Sequence, residues 1–205
     1  MGHGCRAITT ITAAAIAIAL GAAGCGGNPQ PHSPVALEEG DPPDANEPAG
    51  DEARFALALL HAAYEGEEEL AELARERAQS PRLRAHAEDL LEDYERLDPQ
   101  VTELAEQFAV DLDDPEGVAA QVMSELGEAY DELGSVLEAA DAEEFDQAYL
   151  NSLVATHQAT LFELERIEPG IAESEVRELV QNHIPLIRRH LERARDVAER
   201  EGIQV

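Results

Sequence analysis

The chain has 205 residues, the length of one domain with some additional sequence. Its 44 acidic residues face only 14 basic ones, all of them arginine, and the formal net charge is −30. Such an excess of negative charge repels phosphate backbones, so nucleic-acid binding is excluded. Aromatic residues make up only 4% of the chain, and tryptophan is absent. The composition therefore favours an acidic all-α protein over one built on a β-sheet.

An uncharged and largely apolar run occupies residues 7–24, directly after Arg6. A basic residue, a short apolar run and small residues at its end are typical of a secretory signal peptide. The run ends in Ala22-Ala23-Gly24-Cys25, which resembles a bacterial lipobox, with alanine at the position that leucine usually holds. We therefore predict a signal peptide over residues 1–24 and lipidation of Cys25. The alternative is an ordinary signal peptide followed by a chance cysteine.

The cysteine count favours the lipid anchor. The only other cysteine, Cys5, lies in the segment that would be removed, so the mature chain could form no internal disulfide. Residues 26–50 contain six prolines, five acidic residues and no basic residue. We therefore predict that residues 25–50 are a lipidated, disordered acidic tether. The protein would be exported across the cytoplasmic membrane and anchored in the cell envelope, in the periplasm or at the outer membrane.

From residue 51 to the C-terminus, apolar residues recur every three or four positions, which predicts amphipathic helices. Four long patterns and one shorter pattern are present, over residues 55–78, 83–108, 145–167 and 176–197, and near 116–139. Turns are expected at residues 79–82 and 168–173, and bends at Pro99 and Pro185. The predicted fold of residues 51–205 is all-α: an antiparallel four-helix bundle, with a short extra helix in the long connection between its two hairpins.

Polar side chains interrupt the apolar stripes at positions that the periodicity places in the interior: Glu67, Tyr94, His157, His183 and His190. A buried carboxylate needs a cation, a hydrogen-bond donor or a metal. Carboxylate and imidazole groups on facing helices are also the side chains with which bundles build metal sites. His183 and His190 are about 10 Å apart along one helix, too far to bind one ion together. We expect His183 and His61 to be ordinary half-buried histidines, and Phe145, Tyr149 and Phe162 to lie in the core.

Two motifs place a histidine on each of the last two long helices: Phe145-Asp146-x-x-Tyr149-Leu150 followed by His157, and Pro185-Leu186-x-x-x-His190-Leu191-x-x-Ala194. With the stretch that follows Glu67, they resemble a bacterial family of ferritin-like bundles, described as predicted outer-membrane or secreted proteins of unknown function. The resemblance covers roughly residues 53–200 and implies a ferritin-like fold.

The chain departs from that family in its second long helix. The family usually carries Asp-His where this chain has Asp93-Tyr94. A tyrosine at this position can donate a hydrogen bond to Glu67 or His157, but it is a poor ligand for zinc or ferrous iron. The departure removes a neutral nitrogen donor from any metal site that the family would imply.

Two hypotheses about these residues stay open. In the first, Glu67, Tyr94, His157 and His190 form a buried polar network that sets the helix register, in a non-enzymatic interaction or stress-associated module. In the second, Glu67, His157 and His190 bind iron, zinc or manganese, assisted by Tyr94 or Asp93. The sequence contains no glycine-rich phosphate loop, nucleophile elbow or Cys-x-x-Cys pair, so we assign no catalytic residue.

Overall fold

A computed structural model describes residues 49–205 of the chain. This part contains no β-strand and forms five α-helices, which confirms the all-α class: α1 (Asp51–Arg77), α2 (Pro81–Gln107), α3 (Gly117–Ala139), α4 (Phe145–Ile167) and α5 (Ser174–Glu201). A 3-10 turn, Glu168–Gly170, follows α4. The predicted signal peptide, Cys25 and nearly all of the predicted tether lie outside the described residues. Among the helices of residues 49–205, none combines the length and the hydrophobicity that crossing a membrane requires.

The prediction that the extra helix is short is wrong. Helix α3 has 23 residues, the same number as α4, and it packs extensively against α1. Its buried stripe runs from Ala119 through Leu126 and Tyr130 to Leu137. The glycines at 127 and 134 weaken helix propensity, but the buried stripe around them outweighs this cost because tertiary packing supplies most helix stability.

Helix α1 is the central element and contacts each of the other four helices. A circuit of contacts runs from α1 to α2, from α2 to α5, from α5 to α4 and from α4 back to α1, while α3 lies against α1 and α4. The first half of α1 is buried on all sides, since every residue from Phe55 to Leu60 is buried. A helix that is apolar all round is typical of a core position. The single apolar stripe read from the sequence of α1 does not predict this all-round burial.

The turn between α1 and α2 is held by a side chain of its own, Ser80, and by Asp146 of α4. The Ser80 hydroxyl accepts hydrogen bonds from the backbone N–H groups of Arg82 and Leu83, and Pro81 occupies the first turn of α2, so the helix start is capped. Asp146, at the start of α4, accepts hydrogen bonds at 2.8 Å from the N–H groups of Gln79 and Ser80. The turn predicted at 79–82 is therefore tied to α4. Helices α2 and α5 continue through Pro99 and Pro185.

Arg77 joins the end of α1 to the end of α3. Its guanidinium donates to the carbonyl oxygens of Leu137 and Ala140 at 2.6 and 2.7 Å. The same group lies 4.8 Å from the centre of the Phe145 ring. These contacts satisfy carbonyl groups that the end of a helix leaves without intrahelical partners. Phe145 and Tyr149 lie in the core as expected, whereas the expectation for Phe162 is wrong, because this residue is 64% exposed.

The contact between α1 and α3 depends on a glycine. A Cβ atom at Gly66 would lie 2.1 Å from Cγ of Tyr130, far inside van der Waals contact. The missing side chain therefore allows the Tyr130 ring to lie directly against the backbone of α1.

We expect Gly66→Ala to destabilise the protein by about 1–3 kcal/mol, because the new methyl group forces the Tyr130 ring away. Gly127→Ala is the matched control, since a Cβ at Gly127 meets nothing within 4 Å. That control should gain about 0.5–1 kcal/mol from helix propensity alone. Urea unfolding of the two variants measures both effects, and equal stability of the variants would contradict the proposed close contact.

Candidate functional site

Glu67 lies at the centre of the buried polar cluster. It continues the stripe of α1 between Ala63 and Leu70 and is only 6% exposed. The Tyr94 hydroxyl of α2 donates a hydrogen bond to Glu67 Oε2, and the Tyr130 hydroxyl of α3 donates to Oε1 at 3.3 Å. The carboxylate is therefore bound from two different helices.

His157 of α4 completes the cluster from a third helix. Its Nδ1 lies 3.0 Å from Glu67 Oε1, although the contact is not aligned as a hydrogen bond. Its Nε2 is 3.5 Å from the Tyr94 hydroxyl. The structure thus brings together three of the predicted site residues, Glu67, Tyr94 and His157.

The surroundings keep Glu67 ionised. Burial by itself raises the pKa of this carboxyl group, because it disfavours the charged form. The proximity of His157 lowers the pKa, and the hydroxyl groups of Tyr94 and Thr156 lower it further, so that the net pKa lies below its usual value. A carboxylate in this state is an acceptor only and needs all the donors around it.

The charge of Glu67 acts on all four tyrosines of the chain: Tyr64, Tyr94, Tyr130 and Tyr149. Burial raises the pKa of each phenol, and the negative charge of Glu67 raises it further. The hydroxyl groups therefore keep their protons, and those of Tyr94 and Tyr130 donate to Glu67. Tyr64 and Tyr94 stack with ring centres 5.1 Å apart. The sequence analysis assigned only Tyr94 to the site, although the other three also stand on buried helix faces.

The remaining two predicted site residues form a separate pair. His190 Nε2 of α5 lies 2.9 Å from Asp93 Oδ2 of α2, and Asp93 also accepts a hydrogen bond from Arg96. Burial lowers the pKa of His190 more than Asp93 raises it, so the ring is neutral near pH 7. Burial raises the pKa of Asp93, but His190 and Arg96 lower it below its usual value. The pair adjoins the Glu67 cluster, since the ring centres of His157 and His190 are 5.7 Å apart.

As arranged, these side chains do not fit a metal ion. Glu67 accepts from two tyrosines, and the Nε2 of His190 faces Asp93. Tyr94 keeps its proton and is a weak ligand in that form. In residues 49–205, no three His, Cys, Asp or Glu side chains converge in a way that could hold a metal. The polar groups of this cluster instead form hydrogen bonds with one another.

The other three histidines of the helical domain make no hydrogen bond to Glu67 within residues 49–205. His183 is 2% exposed, so the expectation that it is half-buried is wrong, and its Nδ1 donates to the Leu179 carbonyl at 2.6 Å. His61 lies at the domain edge, 2.7 Å from Asp98. His86, which the sequence analysis missed, is fully buried, and neither ring nitrogen has a hydrogen-bond partner within residues 49–205. Its position, three residues after Leu83 and four before Leu90, could have indicated burial.

We expect Tyr94→Phe to destabilise the protein by about 1–3 kcal/mol, because Glu67 then loses a donor in a buried site. Tyr149→Phe is the control, since its hydroxyl is also buried but has no hydrogen-bond partner within residues 49–205. The control should change the free energy of unfolding little or raise it slightly. Denaturant unfolding at pH 7 measures the difference, and a loss in Tyr149→Phe as large as in Tyr94→Phe would contradict this account of Glu67.

We expect His86→Leu to become more stable relative to the wild type as the pH falls. Burial, assisted by Arg193, lowers the pKa of His86 from 6.5 to about 3. Between these values the unfolded chain binds a proton that the folded chain does not, so the wild type loses stability on acidification. At pH 5 the loss relative to pH 7 is about 2 kcal/mol. Parallel thermal unfolding at pH 7 and 5 measures it, and a pH-independent difference between the proteins would contradict the neutral buried imidazole.

A family model described as "Domain of unknown function (DUF4142)" matches residues 39–197 of the chain. No curated protein and no solved structure matches it. The matched segment covers more than half of the sequence and includes every residue of the Glu67 cluster. The chain therefore belongs to the DUF4142 family of domains of unknown function.

Proposed function

We propose that this chain is a cell-envelope lipoprotein whose helical domain acts as a non-enzymatic interaction or stress-associated module. Two features of the sequence support the anchor: the apolar run at residues 7–24 and the cysteine at position 25, directly after it. The membrane is then a partner through the lipid alone. The family description carries no activity, so the role of the helical domain is argued from its side chains.

The helical domain is, in this proposal, a ferritin-like four-helix bundle with α3 added on one side. The closed circuit of contacts among α1, α2, α5 and α4 supports this arrangement. So does the Glu67 cluster with its neighbouring pair, because they draw polar side chains from each of these four helices toward a common interior.

One observation carries the non-enzymatic function: Glu67, Tyr94 and His157 are enclosed in the interior and contact one another. Glu67, Tyr94 and His157 are each no more than 6% exposed. A catalytic carboxylate or imidazole needs to reach a substrate, directly or through one water. Groups that are closed off in this way instead hold helices in register, since breaking the cluster leaves a charge buried without its donors.

The space that could accept a partner molecule lies in two surface grooves. A groove between α1 and α3 has a volume of about 530 Å³, with Leu70 and Tyr130 at its base and acidic side chains around it. A second groove of about 500 Å³ lies beside the end of α2, near Val110 and Leu112. Volumes of this order can accept part of a partner molecule. They support an interaction module more than an internal reaction site.

We expect the wild-type protein to incorporate radiolabelled palmitate in a bacterial host and Cys25→Ser to lose this label. Cys5→Ser is the matched control and should be labelled like the wild type, because Cys5 lies in the segment that signal cleavage removes. Labelled protein should sediment with the membrane fraction. Equal labelling of wild type and Cys25→Ser would refute the anchor and leave the proposal for the helical domain to be tested separately.

Elemental analysis of the purified, untagged protein distinguishes the structural network from the metal hypothesis. We expect less than stoichiometric iron, zinc and manganese, and the same melting temperature with and without a chelator. Stoichiometric metal that is lost in His157→Ala would overturn the non-enzymatic proposal in favour of a metal-binding protein.

A further inference from the structure

A small cavity lies between the Glu67 cluster and the His190–Asp93 pair. Four helices line it, and its polar wall consists of Tyr64, Glu67, Tyr94, His157, Thr160 and His190. Ala63, Leu186 and Ile187 form the apolar remainder. The cavity has a volume of about 10 Å³ for the centre of a water-sized sphere. That is close to the smallest space that holds one water molecule and is too small for an organic ligand.

Three polar atoms of residues in this wall lack a hydrogen-bond partner within residues 49–205. One of them, His157 Nδ1, lies 3.0 Å from Glu67 Oε1. The other two are the Tyr64 hydroxyl oxygen and His190 Nδ1, and their side chains are more than nine-tenths buried. Leaving one such group unpaired costs about 1–3 kcal/mol. Since nearly all buried polar groups in folded proteins have a partner in the protein or in ordered water, these two atoms point to a bound molecule.

The chemistry of the two atoms is complementary. The neutral His190 ring donates through Nε2 to Asp93, and its Nδ1 therefore presents a lone pair as an acceptor. The Tyr64 hydroxyl keeps its proton and can donate. A molecule that bridges the two must accept from the phenol and donate to the imidazole, and water does both.

We infer that the cavity between Tyr64, Glu67 and His190 is a binding site for one water molecule, which accepts a hydrogen bond from Tyr64 and donates one to His190. A second donated bond from the water is available to another acceptor of the polar wall. Two to four polar partners are what a buried water needs, and the wall offers that number.

This water connects side chains that otherwise adjoin without a hydrogen bond. On one side is Tyr64, whose ring stacks on Tyr94 of the Glu67 cluster, and on the other is His190 with Asp93. Asp93 is 25% exposed. The chain of hydrogen bonds therefore runs from Tyr64 of α1 through the water and His190 of α5 to Asp93 of α2 at the surface.

A crystal structure of the full chain at a resolution that orders internal water tests the inference. We expect one density peak in the cavity, at 2.7–3.2 Å from both the Tyr64 hydroxyl and His190 Nδ1. Absence of a peak would overturn the site. So would a peak bound to Glu67 and a histidine nitrogen at 2.0–2.2 Å, because those distances identify a metal ion.

Tyr64→Phe and Tyr149→Phe form a matched pair for this experiment. Each removes one buried hydroxyl group that has no hydrogen-bond partner among the described residues, but only Tyr64 lines the cavity. The peak should disappear in Tyr64→Phe and persist in Tyr149→Phe. Persistence in both variants, or loss in both, would overturn the assignment.

Nitrogen-15 NMR of the histidine rings provides a second readout in solution. We expect His190 in the tautomer with a proton on Nε2, and its Nδ1 signal should move to higher frequency in Tyr64→Phe as the hydrogen bond from water is lost. The same signal should stay in place in Tyr149→Phe. An unchanged His190 signal in Tyr64→Phe would contradict the water bridge even if the variant does not crystallise.

Discussion

The structure depends on the enclosure of one carboxylate. An isolated buried carboxylate costs several kcal/mol, and this cost is met only while the groups around Glu67 stay in place. The hydroxyl groups come from α2 and α3, and the imidazole comes from α4. Because these groups sit on different helices, a shift of any one of those helices removes one of the groups that stabilise the charge. The cluster therefore favours one register among the many that alanine-rich stripes would allow.

The sequence predicted the polar positions of the interior better than it predicted their partners. Glu67, Tyr94 and His157 were recognised because each interrupts an apolar stripe at a three- or four-residue step. The role of Tyr130 could not be predicted in this way, since its contact with Glu67 requires α3 to lie against α1 at Gly66. The bounds of α3 agree with the pattern near residues 116–139, but its description as a short extra helix was wrong, because its glycines weaken the local pattern and its packing against α1 compensates.

The pairing of Asp93 with His190 shows a second limit of prediction from sequence periodicity. Both residues were singled out, but periodicity says only which face a side chain is on, and not which neighbour it meets. The imidazole of His190 turns one nitrogen to Asp93 at the edge of the domain, whereas the His157 ring faces Glu67 inside it. The two histidines thus have different partners although their sequence patterns are similar. A family likeness that pairs them cannot by itself assign them a common ligand.

The central position of α1 has a consequence for the order of assembly. This helix is synthesised first among the five, and its apolar surface is covered from every side by the others. Its contacts with α4 and α5 join residues separated by most of the domain, and such distant contacts slow folding. A nascent chain therefore carries an uncovered apolar segment until the last helix, Ser174–Glu201, has been synthesised. We therefore expect a chain with this topology to stay unfolded or bound to a chaperone until its last helix is available.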